Sequence, residues 1–167
     1  KDGVLVDIGA NAGIYSCLAA SQLGQSGVVV AFEPNPVIVE RLRFNLEATL
    51  ADCADKPRIE IQPIAVSDDS GSLSFYINRK NLGASTLIKR QKSQKINVDS
   101  RPLLDVIEDL KLSRIHVLKC DIEGSEDRAL MPFFTDAPNH VLPGCVIIEN
   151  NSVQWQQPLQ EAIKQRG

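Results

Sequence analysis

Apolar runs of strand length alternate along the chain with segments of helical period. Residues 4–8, 28–32, 115–120 and 145–148 are mostly apolar, which is typical of strands buried on both faces of a parallel sheet. Apolar side chains recur at helical spacing in residues 14–23, 35–46, 103–110 and 158–166, and a further helix is expected to begin at 124–125. Each of these predicted strands is therefore followed by a predicted helix.

The stretch 58–66 departs from this pattern. It begins with alternating apolar and polar residues and contains Pro63, so we expect a single strand at the edge of the sheet. A turn at 68–71 and a short alternating strand at 73–77 follow, whereas residues 78–95 are polar and lack a helical period. The order β-α-β-α-β, an interruption and then α-β-α-β-α predicts an α/β fold built on a doubly wound parallel sheet.

Composition limits the classes of protein that fit. With 167 residues, 43% of them hydrophobic and 23% charged, the chain has the size and balance of one globular domain over residues 1–167. No apolar run approaches the roughly 20 residues that span a bilayer, so no membrane span is expected. A net charge of −3 gives no basic footprint for nucleic acid. The four cysteines lack metal-ligand spacing, and we interpret them as free thiols of a cytoplasmic protein.

Acidic residues lie at the carboxyl ends of four of the predicted buried strands, namely Asp7, Glu33, Asp121 and Glu149. Ligands of doubly wound sheets bind at the carboxyl ends of the strands, close to the switch point. Acids can also serve as caps of the helices that follow. Four acids at one edge nevertheless favour a functional site over capping alone.

The segment from Asp7 to Gly13 has the pattern of a nucleotide-binding turn. Gly9 allows a tight turn after the first strand, Gly13 allows close packing where the helix begins, and Glu33 can accept hydrogen bonds from two ribose hydroxyls. Asn11 replaces the glycine that would let the backbone approach a pyrophosphate, and Asp7 adds a negative charge. These residues therefore favour S-adenosyl-L-methionine, which carries a sulfonium and an ammonium, over NAD.

Three motifs in this order resemble the FkbM-type methyltransferases. They are the segments 7–16 (DIGANAGIYS), 31–36 (AFEPNP) and 118–126 (LKCDIEGSE), and the triplet 85–87 (STL) also lies where the family often has one. The resemblance covers nearly the whole chain. It implies a class I, Rossmann-like fold and S-adenosyl-L-methionine-dependent methylation of a hydroxyl oxygen on a sugar, polyketide or related metabolite.

The resemblance also implies parts that this chain does not include. Class I methyltransferases complete the sheet with a hairpin of two more strands, whereas this sequence stops after the helix that would precede them. A segment before Lys1 often covers the cofactor in such enzymes. We therefore expect the domain to be incomplete at both ends, without the final hairpin and the N-terminal segment.

Asp121 is the candidate general base, because the strand that it follows would lie beside the strand that ends at Asp7. Glu123 and Glu149 are candidate substrate-binding residues at the same edge. Structural bracing is the alternative role for all three. His116 lies five residues before Asp121, roughly 16 Å from this edge, and is interpreted as structural. No metal site is predicted, since the sequence near Asp121 offers no second acid–amide pair.

A basic insertion occupies residues 70–98, which include Arg79, Lys80, Lys89, Arg90, Lys92 and Lys95 but no acid. A solvated loop is the favoured interpretation, and a landing site for an anionic acceptor or carrier is the alternative. Two other functions remain open for the whole chain: a nucleotide-binding module without catalysis, and an NAD-dependent oxidoreductase. The expected partner is a small-molecule or glycan hydroxyl acceptor, and the sequence leaves the oligomeric state undetermined.

Overall fold

The computed structural model describes residues 2–77 and 94–166, and in them a five-stranded parallel sheet forms the centre of the molecule. Its strands are β1 (Val4–Ile8), β2 (Val28–Phe32), β3 (Arg58–Gln62), β7 (Val117–Cys120) and β8 (Cys145–Ile148), in the order β3-β2-β1-β7-β8. β1 thus pairs with β2 on one side and with β7 on the other. The predicted doubly wound sheet is confirmed, with its switch point at the carboxyl end of β1.

Helices cover both faces of this sheet. They are α1 (Ile14–Gln22), α2 (Pro36–Leu50), α3 (Leu103–Asp109), α4 (Glu126–Asp136) and α5 (Leu159–Arg166), with a short 3-10 turn at Asn139–Val141. Successive residues of β2 alternate between two apolar clusters: Val29 packs with Leu42 and Leu46 of α2, and Val30 packs with Phe133 of α4. Among the described residues, no helix is both long and apolar enough to cross a lipid bilayer.

Local sequence explains how α2 begins and how α1 packs against it. Asn35 accepts a hydrogen bond through Oδ1 from the Val37 amide (3.2 Å), and Pro36 occupies the first position of α2. Gly13 precedes α1 with φ 94°, and a Cβ there would lie 2.6 Å from Cδ1 of Leu42. Glycine at position 13 therefore permits the close packing of α1 on α2 that the sequence predicts.

The single strand predicted at 58–66 is wrong in its extent. The structure divides it into β3, which is an edge strand as expected, and β4 (Ala65–Val66), which belongs to another sheet. Pro63 lies between the two strands and has no amide hydrogen for a strand ladder. The chain leaves the main sheet at this residue.

A second, three-stranded sheet has the order β4-β6-β5, where β5 is Gly71–Ile77 and β6 is Gln94–Arg101. Strand β6 was not predicted, because Ile96 and Val98 are the only apolar residues among its eight and its buried Ser100 is polar. The small core of this second sheet consists of Ala65, Phe75, Ile77 and Val98. Most of the basic insertion and the triplet 85–87 lie outside the described residues.

All four cysteines are free in the structure, as predicted. Cys120 and Cys145 are on neighbouring strands, yet Cys120 pairs with Ile148 and Cys145 with Val117. Three positions along a strand separate them by about 10 Å, which is too far for a disulfide.

Thiol titration in denaturant without reductant should therefore count four thiols, and a count of two would contradict this assignment. In the native protein the exposed Cys145 should react readily. Cys120 should not, because burial excludes the reagent and raises the pKa of its thiol well above the ordinary value.

Candidate active site

The turn after β1 forms the floor of the site. Gly9, Asn11 and Gly13 all have positive φ (73°, 51° and 94°), and the amides of Gly9 and Ala10 both donate to the carbonyl of Phe32. A Cβ on Gly9 would lie 2.1 Å from the carbonyl oxygen of Asp121. Glycine at position 9 therefore allows two turns, one after β1 and one after β7, to touch each other.

Glu33 follows β2 and its carboxylate lies against the turn. Oε2 accepts from the Asn11 amide (3.1 Å) and Oε1 accepts from the Asn35 amide (2.8 Å). Burial raises the pKa of Glu33, although these two hydrogen bonds and nearby Lys119 oppose the rise. Each oxygen keeps a lone pair, so the carboxylate can accept hydrogen bonds from a pair of neighbouring hydroxyls.

Lys119 is a functional residue that sequence reasoning missed. It lies opposite Asp7 in the β1–β7 register, and its Nζ is 3.2 Å from Oδ1 of Asp7 and 2.7 Å from the carbonyl oxygen of Gly9. Ser16 donates to the other carboxylate oxygen of Asp7 (2.7 Å). Both charged side chains are almost fully buried, so this network holds the turn from below.

A cavity of about 240 Å³ opens above the turn. The residues that line it are Ile8, Gly9, Ala10, Asn11, Ala12, Ile14, Tyr15, Glu33, Pro34, Ala65, Val66, Phe75, Lys119, Asp121, Ile122 and Glu123. Apolar side chains from the second sheet form one wall, and the carboxylates of Glu33, Asp121 and Glu123 provide polar contacts. Such a lining suits a flat apolar ring that carries polar substituents.

The acidic edge consists of Asp121, Glu123 and Glu149. The Asp121 amide donates to the carbonyl of Ile8 (3.1 Å), and the Glu149 amide donates to the carbonyl of Cys120 (3.2 Å). Desolvation raises the pKa of Glu149, a hydrogen bond from Asn151 opposes the rise, and the nearby carboxylate of Asp121 adds to it. These contacts bring Glu149 beside Asp121.

Asn151 also supplies, with Glu149, an acid–amide pair that the sequence around Asp121 lacks. Within residues 2–77 and 94–166, however, no three His, Cys, Asp or Glu side chains are arranged to hold one metal ion. The arrangement is therefore described as a carboxyl cluster.

The structure thus brings Gly9, Asn11, Glu33, Asp121 and Glu123 to one cavity, with Glu149 at its rim. Asp7 and Gly13 do not line it: Gly13 packs against α2, and Asp7 is wholly buried beneath the turn. The direct contact of Asp7 with a cationic tail, expected from the sequence, has no opening in this geometry. His116 accepts from the Val4 amide through Nδ1 (3.0 Å), in keeping with a structural role.

A doubly wound parallel sheet with a cavity at its switch point is an arrangement in which nucleotide-containing ligands bind. The model of the methyltransferase FkbM domain matches residues 7–163, nearly the whole chain. The chain therefore belongs to the FkbM methyltransferase family.

Two curated relatives resemble this chain over about three quarters of its length. The chain is 27% identical over 128 residues to the hexuronic acid methyltransferase AglP of Haloferax volcanii, covering 75% of this chain and 48% of that protein. It is 28% identical over 152 residues to the methyltransferase sdnD of Sordaria araneosa, covering 73% of this chain and 57% of that protein. The chain thus spans about half the length of these curated relatives.

A crystal structure of methyltransferase FkbM from Methylobacillus flagellatus KT shares the fold. It has a TM-score of 0.50 and 22% identity, covering 80% of this chain and 29% of that one. At this level of identity the likeness supports the fold and nothing finer. The predicted fold class is confirmed by it.

The Lys119–Asp7 pair should dominate the stability of the turn. Lys119→Met leaves the Asp7 carboxylate buried without its cation, which typically costs about 3–5 kcal/mol. Arg101→Met removes the exposed Arg101–Asp109 pair and is the matched control, with an expected loss of about 1 kcal/mol or less.

Urea unfolding of the two variants measures both losses. Adding Asp7→Asn to Lys119→Met should restore part of the lost stability, because the unpaired charge is gone. Equal losses in Lys119→Met and Arg101→Met would show that the buried pair does not hold the turn.

Proposed function

We propose that this domain, residues 1–167, catalyses S-adenosyl-L-methionine-dependent O-methylation. The observation that carries the proposal is that Glu33 and Asp121, from strands on either side of β1, open into one cavity above the Gly9 turn. Glu33 would accept hydrogen bonds from the ribose hydroxyls, and Asn11 would contact the methionine tail. Pro34, Val66 and Phe75 would pack against adenine.

When bound, the methyl donor supplies an electrophilic methyl carbon on a sulfonium. The part of this chain is to hold an acceptor hydroxyl in line with that carbon and to take its proton. Asp121 is the proposed proton acceptor, because its exposed carboxylate follows β7 beside the turn. Glu123 and Glu149 would orient the acceptor, and the rate would come mainly from positioning.

Asp7 is proposed to serve the methyl donor indirectly. Its carboxylate fixes Lys119, and Lys119 holds the carbonyl of Gly9. The negative charge that would face a cationic donor then comes from Glu33 and the acidic edge rather than from Asp7. Gly13 contributes through the packing of α1.

A sugar, polyketide or related metabolite with a free hydroxyl is the proposed acceptor class. AglP is named for a hexuronic acid, which supports a glycan acceptor. AglP is named for an acidic sugar, whereas the three carboxyl groups of the acidic edge would repel an anionic ring, so a neutral ring is proposed for this chain. The proposed cytoplasmic location rests on the free cysteines. A catalytically inactive module and an NAD-dependent oxidoreductase are not favoured.

Calorimetric titration tests the choice of methyl donor. S-adenosylhomocysteine should bind and NAD should not, since Asn11 and the acidic lining disfavour a pyrophosphate. The opposite ranking would overturn the proposal.

Glu33→Gln should weaken S-adenosylhomocysteine binding at least about tenfold, because a charged hydrogen-bond acceptor is worth about 1.5–3 kcal/mol. Glu47→Gln, on the exposed side of α2, is the matched control and should bind normally. If Glu33→Gln retains full affinity while folded, the ribose site lies elsewhere.

Asp121→Asn should keep its affinity for S-adenosylhomocysteine but lower methyl-transfer turnover at least about 100-fold, since it removes the proton acceptor. Methyl α-D-glucopyranoside and D-glucuronic acid serve as a neutral and an anionic test acceptor. Asp136→Asn, at the exposed end of α4, is the control.

Melting temperature measured on the same preparations separates catalysis from bracing. A bracing role predicts lost stability with full turnover of the folded fraction. Normal turnover in a stable Asp121→Asn protein would remove Asp121 from the mechanism, and Glu149 would be the next carboxylate to test.

A further inference from the structure

Glu126 is a fully buried carboxylate whose contacts do not match its position in the sequence. It is the first residue of α4, where an acid ordinarily stays exposed and stabilises the helix dipole. Its side chain accepts three hydrogen bonds from donors outside its own helix. They come from the turn before α4 and from the segment after β8.

One carboxylate oxygen fixes the turn that carries the acidic edge. Oε1 of Glu126 accepts from the amides of Ile122 and Gly124, both at 3.0 Å. In the same turn, Glu123 and Gly124 both have left-handed backbone, with φ values of 60° and 102°. A non-glycine residue in this region is costly, so the two hydrogen bonds from Glu126 offset strain in the turn.

The other oxygen reaches the second acidic segment. Oε2 of Glu126 accepts from Nε1 of Trp155 (2.8 Å), and Trp155 belongs to the connection that begins with Glu149. Next to it, Asp127 accepts from the amides of Gln156 and Gln157 (2.7 and 3.1 Å). The start of α4 therefore binds both the turn after β7 and the segment after β8.

We infer that Glu126 is a positioning residue that sets the spacing between Asp121 and Glu149 by holding both segments with one buried side chain. Through that spacing it orients the acceptor hydroxyl, a consequence that rests on the proposed function. Its own carboxylate does not line the cavity.

Glu126→Gln tests this inference with little change in shape. The amide oxygen can still accept from Ile122 and Gly124, but the amide nitrogen then faces the N–H of Trp155, so two hydrogen-bond donors oppose each other. Trp155→Phe removes the indole N–H of this contact and leaves the Glu126 carboxylate in place. Asp105→Asn, another acid in the first turn of a helix, is the control for the helix dipole.

Amide hydrogen exchange reports how firmly the two segments are held, without any acceptor. Glu126→Gln should speed exchange in residues 121–125 and 150–157 together, whereas Asp105→Asn should leave both unchanged. Trp155 is the single tryptophan, so its emission should also shift to the red in Glu126→Gln. Faster exchange in only one of the two segments, or unchanged emission, would overturn the link.

Turnover tests the functional consequence. Glu126→Gln should keep its affinity for S-adenosylhomocysteine and the KM for the methyl donor but lower kcat at least about tenfold. Adding Trp155→Phe should recover part of that loss, because it relieves the opposed N–H groups. A lower melting temperature with unchanged kcat in the folded enzyme would overturn the positioning role.

The two proposals fail in different ways. If the wild-type protein binds no S-adenosylhomocysteine, the proposed function fails, and the exchange and fluorescence measurements still decide the structural link. If it binds and transfers methyl groups while Glu126→Gln matches wild type in all readouts, only the inference about Glu126 fails.

Discussion

Gly9 lies against the carbonyl of Asp121, and the geometry of the site depends on this contact. A side chain on Gly9 would reach within 2.1 Å of that oxygen, so any other residue would push the turn after β1 away from the turn after β7. Lys119 strengthens the contact from below, since its Nζ bonds the Gly9 carbonyl and pairs with Asp7. The result is a fixed distance between the proposed methyl-donor site and the acidic edge.

Four acids lie at the carboxyl ends of the parallel strands, but the fold surrounds them with different partners. Asp7 is neutralised by Lys119, and Glu33 is engaged by two backbone amides while it still faces the cavity. Asp121 and Glu149 lie at the rim of the cavity. Among the described residues, no cationic side chain forms an ion pair with either of them. Burial and pairing therefore give these four similar residues different environments: Asp7 is buried and paired, Glu33 faces the cavity, and Asp121 and Glu149 lie at its rim.

The second sheet and the start of α4 complete the site from outside the central strands. Val66 and Phe75 form the wall opposite the turn, and Glu126 ties the acidic turn to Trp155.

The sequence by itself determined the order of strands and helices, the glycine turn, and the placement of Glu33 and Asp121 at one edge of the sheet. These features depend on local period and on the fact that parallel strands end together. Strand β6 escaped prediction because only two of its eight residues, Ile96 and Val98, are apolar. The single strand expected at 58–66 is two strands instead, because Pro63 lacks the amide hydrogen that would continue the hydrogen-bonded ladder of β3.

Only the tertiary structure decided what Lys119 and Glu126 do. A lysine in a strand and a glutamate at a helix start have ordinary local explanations, whereas the Gly9 carbonyl lies 110 positions from Lys119 and the Trp155 indole 29 positions from Glu126. The same holds for Asp7, whose burial against Lys119 could not be read from the sequence. Charge and hydrogen-bond capacity can be read from the sequence, but their partners are set by which distant segments the core brings together.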